Sequence, residues 1–406
     1  MSPGRHREHE PTQRLERRVD ERILDSVRAR ALATGGRLDA VELAGAVHDS
    51  GETLGASGAA ESLRALHDEV SGLSVLERFA RQPGVTDVLV DGHGQVWVDA
   101  SAGLQNTGYS FSGPDEVRSL AVHLATMAGR RLDASAPFVD VSLKNYRVHA
   151  VLPPIATEGP LISVRVKERR HRPLAELLGP HAEYWEPVLR AIVERELNFL
   201  VTGGTGSGKT TLLQAMLALV DPQQRVVVVE DSQELAIDHP HVVGLQTRGA
   251  NVENEGRIEL QQLVVQALRM RPNRLVIGEC RGAEIRDFLS AMNTGHQGAA
   301  GTLHANNPDA VPARLAALGA VAGWTLQATA LQAASALDLI IHVGRGHDGR
   351  RAPVALATIC VDNSARMRVQ RLIDLQTPTP LLERSAVADK LGVAAAAALP
   401  AELRGE

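Results

Sequence analysis

Val201-Thr-Gly-Gly-Thr-Gly-Ser-Gly-Lys-Thr-Thr211 fits G-x-x-x-x-G-K-[ST], with Gly203, Gly208, Lys209 and Thr210 in the four set places. Glycines let a backbone fold closely around a phosphate, so that several N–H groups point inward. A helix that begins there adds its positive dipole end. In this pattern Gly203, Gly204, Thr205, Gly206, Ser207 and Gly208 make the cradle. Lys209 reaches the β- and γ-phosphates, and the Thr210 hydroxyl, followed by Thr211, holds Mg²⁺. The pattern requires strand, loop, helix. Asn198–Thr202 reads as an apolar strand and Thr211–Leu219 as a helix.

Working outward, 183–375 alternates strand and helix, the pattern of a mostly parallel α/β sheet. Arg225–Glu230 and Asn273–Glu279 are apolar enough to be buried on both faces. Helices are expected at Ile258–Met270, Ala283–Met292, Asp309–Leu318 and Leu326–Ala336, and a short strand at Gly298–Leu303. Asp338–Val343 and Ala355–Val361 read as a hairpin. Before this, 70–168 reads as a smaller domain. Strands are expected at Val85–Val90, Gln95–Val98, Phe138–Leu143, Tyr146–Leu152 and Leu161–Val166. A helix over Pro114–Met127 places Val117, Leu120, Ala121, Leu124 and Met127 on one face. Asp91-Gly-His-Gly94 is a turn by composition. Residues 169–182 read as a linker, 1–69 as an N-terminal extension with a helix over Arg14–Ala33 and a loop at Asp49–Gly58, and 376–406 as a packing tail.

At 406 residues and 44% hydrophobic content, the chain can build two or three domains. A net charge of −5 carries no basic excess of the kind that announces nucleic acid. Only four of its 43 basic residues are lysines, and Lys209 is the only one between 168 and 389. Two cysteines, Cys280 and Cys360, make neither a four-cysteine zinc site nor a disulfide framework, which suits a reducing cytoplasm. No stretch of 18 or more apolar residues is present, so any membrane association is expected to be peripheral.

Two buried strands end in acids, Glu230-Asp231 and Glu279. In an open α/β sheet the ligand lies beyond the carboxyl ends of the strands. Hydrolysis of a phosphoanhydride needs an oriented, deprotonated water and a held metal ion. Glu279 is the candidate base; Glu230 or Asp231 would position water and metal. His296 and His304 bracket a short strand, with His304 at the ligand end, where a histidine can sense a phosphate or water.

These features resemble the secretion ATPase superfamily of type II and type IV secretion, most closely its Tad/Flp-pilus and conjugal-transfer branch. The matching stretches are Gly129–Asp133, Arg147–Pro154, the loop at 203–210, Val229–Leu235, Ala267–Asn273, Ile277–Glu284, and Thr294–Gly298 with His304-Ala-Asn306. The resemblance implies a RecA-like P-loop NTPase domain preceded by a smaller α+β, PAS-like domain. It implies Glu279 as catalytic base in an atypical Walker B, Glu230-Asp231 as an Asp box, and His296 and His304 as a His box. It also implies that Arg147 and Arg165 reach the nucleotide from the preceding domain. The implied assembly is a homo-hexamer that works with inner-membrane platform proteins at the inner face of the membrane and hydrolyses ATP with Mg²⁺. Val265 stands where the family often has a basic residue, and Cys280 where it usually has Val. Other classes sharing the loop are DNA-translocating rings, small-molecule kinases and non-hydrolysing nucleotide-gated adaptors.

Overall fold

The computed structural model describes residues 72–100, 103–143, 145–167, 172–249, 255–345, 350–375, 381–382 and 384–392. The helix expected at 14–33 and the loop at 49–58 lie outside them. The chain divides into two compact units between Val166 and Lys167.

The first unit is a six-stranded sheet with one long helix. Its strands are β1 (Asp87–Val90), β2 (Gln95–Ala100), β3 (Gly103–Ser110), β4 (Phe138–Leu143), β5 (Tyr146–Val151) and β6 (Leu161–Val166), in the order β3-β2-β1-β6-β5-β4. Every neighbouring pair is antiparallel. The β1–β2 turn closes because the Asp91 carboxylate accepts the N–H groups of His93 and Gln95 and the Trp97 indole N–H. Gly94 there takes φ +79°, a conformation costly for residues with a Cβ. Strand residues alternate in burial. Val139, Val141, Val148, Ala150, Ile162 and Val164 face helix α1 (Pro114–Met127). α1 buries Val117, Leu120, Ala121, Leu124 and Ala125; Met127, expected on that face, lies at the surface. The other sheet face carries Arg147 and Arg165.

The second unit holds a nine-stranded sheet: β7 (Phe199–Gly203), β8 (Val226–Glu230), β9 (Val242–Gln246), β10 (Arg274–Cys280), β11 (Ala300–His304), β12 (Leu339–Arg345), β13 (Arg351–Val361), β14 (Met367–Asp374) and β15 (Leu381–Leu382). The order is β15-β14-β13-β12-β7-β11-β10-β8-β9, parallel from β12 through β9 and antiparallel from β12 through β15. Successive residues of the central strands feed two cores. Phe199, Val201, Val226 and Val228 enter one. Leu200, Val227 and Val229 enter the other. That explains their unbroken apolar runs. The first core is covered by α2 (Leu174–Leu178), α3 (Ala182–Glu194) and α4 (Lys209–Leu217). The second is covered by α5 (Leu260–Leu268), α6 (Glu284–Asn293), α7 (Val311–Val321) and α8 (Leu326–Ala336). A last helix, α9 (Arg384–Leu391), returns Val387 and Leu391 to the first core.

Part of the segment read as linker is therefore structural. Leu174 and Leu178 of α2 are buried in the core of the second unit, an interior role that the flanking Pro173 and Gly179-Pro180 obscured. Asn198 fixes the start of β7 between its neighbours. Its side chain accepts the Ala299 N–H and donates to the Ala336 carbonyl, at 3.0 Å each. Its own N–H donates to Asp338. The strand that carries the phosphate loop is thus held from both sides.

Candidate active site

β7 runs fully buried into the loop and α4 leaves it. Gly206 and Gly208 sit at φ +67° and +96°, which favour glycine. Gly203 has a second, steric requirement. A Cβ there would lie 2.5 Å from both Ser207 Oγ and the Val343 carbonyl oxygen. Gly204 faces open space, and Thr205 and Gly206 form the loop's outer bend. The Leu212 N–H already closes on Gly208, so the N–H groups of the first helical turn point back into the loop. Thr210 and Thr211 occupy that turn. Lys209 folds back on the cradle, its ammonium donating to the Gly204 carbonyl at 2.8 Å. Burial pulls its pKa below the lysine range, against the opposing pull of nearby Glu279.

Glu279 reaches this place through an irregularity. The β10–β11 pairing shifts register between Ile277 and Cys280, while Thr302 Oγ1 donates to the Gly278 carbonyl at 2.6 Å. Such a bulge re-aims the side chain it carries. Arg281 holds the carboxylate through Nε, at 2.8 Å, and Nη2, both on Oε2. Buried Glu284 accepts the N–H groups of Arg281 and Gly282 and so shapes the turn that aims Arg281.

His304 ends β11 and is the register partner of Gly203. His296 is not brought to the loop within this chain. It precedes β11, at the opposite end of the strand, roughly 13 Å away at ~3.3 Å per residue. There its Nδ1 is buried without a partner, and its N–H closes on Ala291.

Glu230 anchors the loop that follows β8. It is buried over Gly278, where a Cβ would come within 2.7 Å of its Cγ. Its Oε1 accepts the N–H groups of Glu234 and Leu235. Burial pushes its pKa up to about 7, against those two N–H bonds. It organises the loop after β8 through those two N–H bonds. Asp231 is exposed beside it, its carbonyl accepting from Thr247.

In the first unit Arg147 and Arg165 are direct register partners on β5 and β6. Each has an acid: Asp140 for Arg147 at 2.7 Å and Asp87 for Arg165 at 3.0 Å.

The sequence reading missed His342. It is 3% exposed on β12, and its Nδ1 lies 2.9 Å from Thr202 Oγ1, one residue before Gly203. Burial pushes its pKa down to about 4, aided by Arg371, while a bond to the Asn306 backbone opposes the shift. Neutral His342 therefore ties β7 to the chain leaving His304. Spacing carried no signal for it, because the contact is across strands 140 residues apart.

Residues 69–351 match the family described as "Type II/IV secretion system protein". The chain belongs to that family. A putative conjugal transfer protein of Mycobacterium tuberculosis is 49% identical over 320 residues, covering 76% of this chain and 90% of the relative. The type IV secretion system protein PtlH of Bordetella pertussis is 31% identical over 272 residues, 60% of this chain and 79% of that protein. Two solved structures share the fold. The pilus retraction motor PilT has a TM-score of 0.52 at 18% identity, covering 79% of this chain and 86% of that one. The Legionella pneumophila ATPase DotB has 0.50 at 21%, covering 72% and 81%. The second unit thus has a RecA-like α/β fold. Among the described residues no helix is long and apolar enough to cross a membrane.

Proposed function

We propose that this type II/IV secretion family member is a motor that hydrolyses ATP to power transport or fibre assembly across the cell envelope. The substrate is a Tad/Flp-type pilus or a conjugation-linked cargo. The observation that carries this reading is the convergence of Lys209, Glu279 and His304 at the carboxyl ends of three parallel strands. The cradle suits phosphate, since Gly206 and Gly208 keep positive φ and no side chain at Gly204 or Gly206 obstructs it. Thr210, with phosphate oxygens, fits Mg²⁺, which usually keeps few protein ligands. When bound, that ion neutralises charge developing on the phosphates.

In this mechanism Lys209 leaves the Gly204 carbonyl for the β- and γ-phosphates. Glu279 Oε1, opposite the oxygen held by Arg281, accepts a proton from the attacking water. His304 hydrogen-bonds the γ-phosphate or that water. Arg147 and Arg165 exchange their carboxylates for phosphate oxygens, whose geometry suits guanidinium. The working form is a homo-hexamer in the cytoplasm, docked on platform proteins at the inner face of the membrane. Direct nucleic-acid binding is no part of the reading. Steady-state ATPase of the purified full chain tests it, with and without single-stranded DNA. Turnover independent of DNA and lost in Lys209→Ala supports a secretion motor. Turnover that requires DNA points to a translocase, and no turnover in an assembled ring to an adaptor.

A further inference from the structure

β14 lies beyond the residues that match the family, 69–351, yet it reaches the chain that leaves His304. Its pairing with β13 slips by one residue: Leu356 faces Ile373, while Ala357 faces Arg371. Leu372 is the extra residue of a bulge, and Leu372 and Ile373 both enter the first core. In a regular strand, residues three apart point to opposite faces. The bulge turns Arg371 and Asp374 to the same side, where Arg371 Nη1 donates to Asp374 Oδ2. Nη2 of the same guanidinium donates to Asp309 Oδ2.

The two acids differ. Asp374 is 1% exposed, and Asp309 is at the surface. A guanidinium whose partner is buried is fixed, because withdrawing it leaves a buried carboxylate without its cation. Asp309 is then the end that is held. It lies in the turn Pro308–Ala310, five residues after His304. Asn307 caps that turn through the Ala310 N–H, and Pro308 is buried. Nearer the histidine, the Ala305 N–H donates to the Gly203 carbonyl, and His342 bonds the Asn306 backbone. The stretch from His304 to Asp309 is therefore tied by Gly203, by His342 and, outermost, by Arg371.

Resting on the reading that His304 assists hydrolysis of a nucleoside triphosphate, we infer that Arg371 is a positioning residue for that step, holding His304 in place through Asp309. An ion pair to an exposed acid adds little to stability. A small displacement of a group at the reacting atoms costs rate steeply. Lysine lacks the planar fork that serves two acids at once.

Steady-state ATP hydrolysis by the full chain tests this, with Asp309→Asn and Arg371→Lys each made in the wild-type and in the His304→Ala background. In the wild-type background each lowers kcat roughly tenfold and leaves KM for ATP unchanged. In the His304→Ala background neither lowers kcat further, because the group they position is gone; a merely structural role would lower both alike. Equal fold losses in the two backgrounds, or an Asp309→Asn with wild-type kcat, overturn the inference. Should Arg371→Lys not fold, Asp309→Asn at the surface decides alone. A wild-type chain without turnover, or a His304→Ala at the wild-type rate, overturns the hydrolysis reading itself and this inference with it.

Discussion

His304 and Gly203 are register partners on adjacent parallel strands, so the histidine stands at the entrance of the phosphate loop. In the proposed mechanism His304 acts on charge that develops during reaction, more than on ground-state binding. His304→Ala is expected to lower kcat on the order of 10²-fold while ADP affinity holds. Stopped-flow turnover beside ADP titration checks this; loss of ADP binding with kcat intact contradicts it. His296→Ala, at the far end of β11, leaves nucleotide affinity of the isolated subunit unchanged.

Gly203 tolerates no side chain, because a Cβ would sit 2.5 Å from the Val343 carbonyl oxygen. Gly203→Ala is expected to cost roughly 1–3 kcal/mol and to abolish ATP binding. Urea unfolding and nucleotide titration read both. A variant with the wild-type midpoint refutes the steric argument.

Glu230 makes stability depend on pH in an unusual direction. Its folded pKa, about 7, lies above the 4.5 of an ordinary glutamate. The folded state therefore binds the extra proton. Stability is full below pH 4.5 and falls as pH rises through 7. Glu230→Gln keeps an oxygen for the Glu234 and Leu235 N–H groups and removes the charge. Relative to wild type it should gain on the order of 1–3 kcal/mol between pH 5 and pH 8. Urea midpoints at the two pH values measure it, and a gap that does not grow with pH counts against it.

His342 works in the opposite sense. Its folded pKa, about 4, lies below the ordinary 6.5. The stability tied to its neutral form is present above 6.5 and drains as pH falls toward 4. His342→Gln should flatten the acid limb of a stability–pH profile between those values. An unchanged acid limb removes His342 from the account.

The phosphate loop, the alternating α/β pattern and the acids ending β8 and β10 were legible because local chemistry specifies them. Glycines at positive φ and doubly buried strands leave marks in sequence. What escaped depends on neighbours. β3, Gly103–Ser110, has no apolar alternation and persists as an edge strand on β2. α3 carries Pro187 inside it, a sequence breaker that Trp185, Val188, Leu189 and Ile192 override by packing. Glu230 was legible as a strand-end acid, but not as the anchor of the loop after β8. Its burial over Gly278 comes from the neighbouring strand. Arg147 and Arg165 were found through resemblance, and their direct opposition across β5 and β6 only by the register.

The central claim is that Glu279, set on a bulge beside the loop and held through one oxygen by Arg281, is the base that activates water. Removing a positioned general base costs on the order of 10²–10⁴-fold in rate. The most direct measurement is single-turnover ATP hydrolysis by Glu279→Gln, alongside ATP titration of the same protein. The account predicts ATP affinity close to wild type with hydrolysis reduced by at least ~10²-fold. Hydrolysis at the wild-type rate in Glu279→Gln would contradict it.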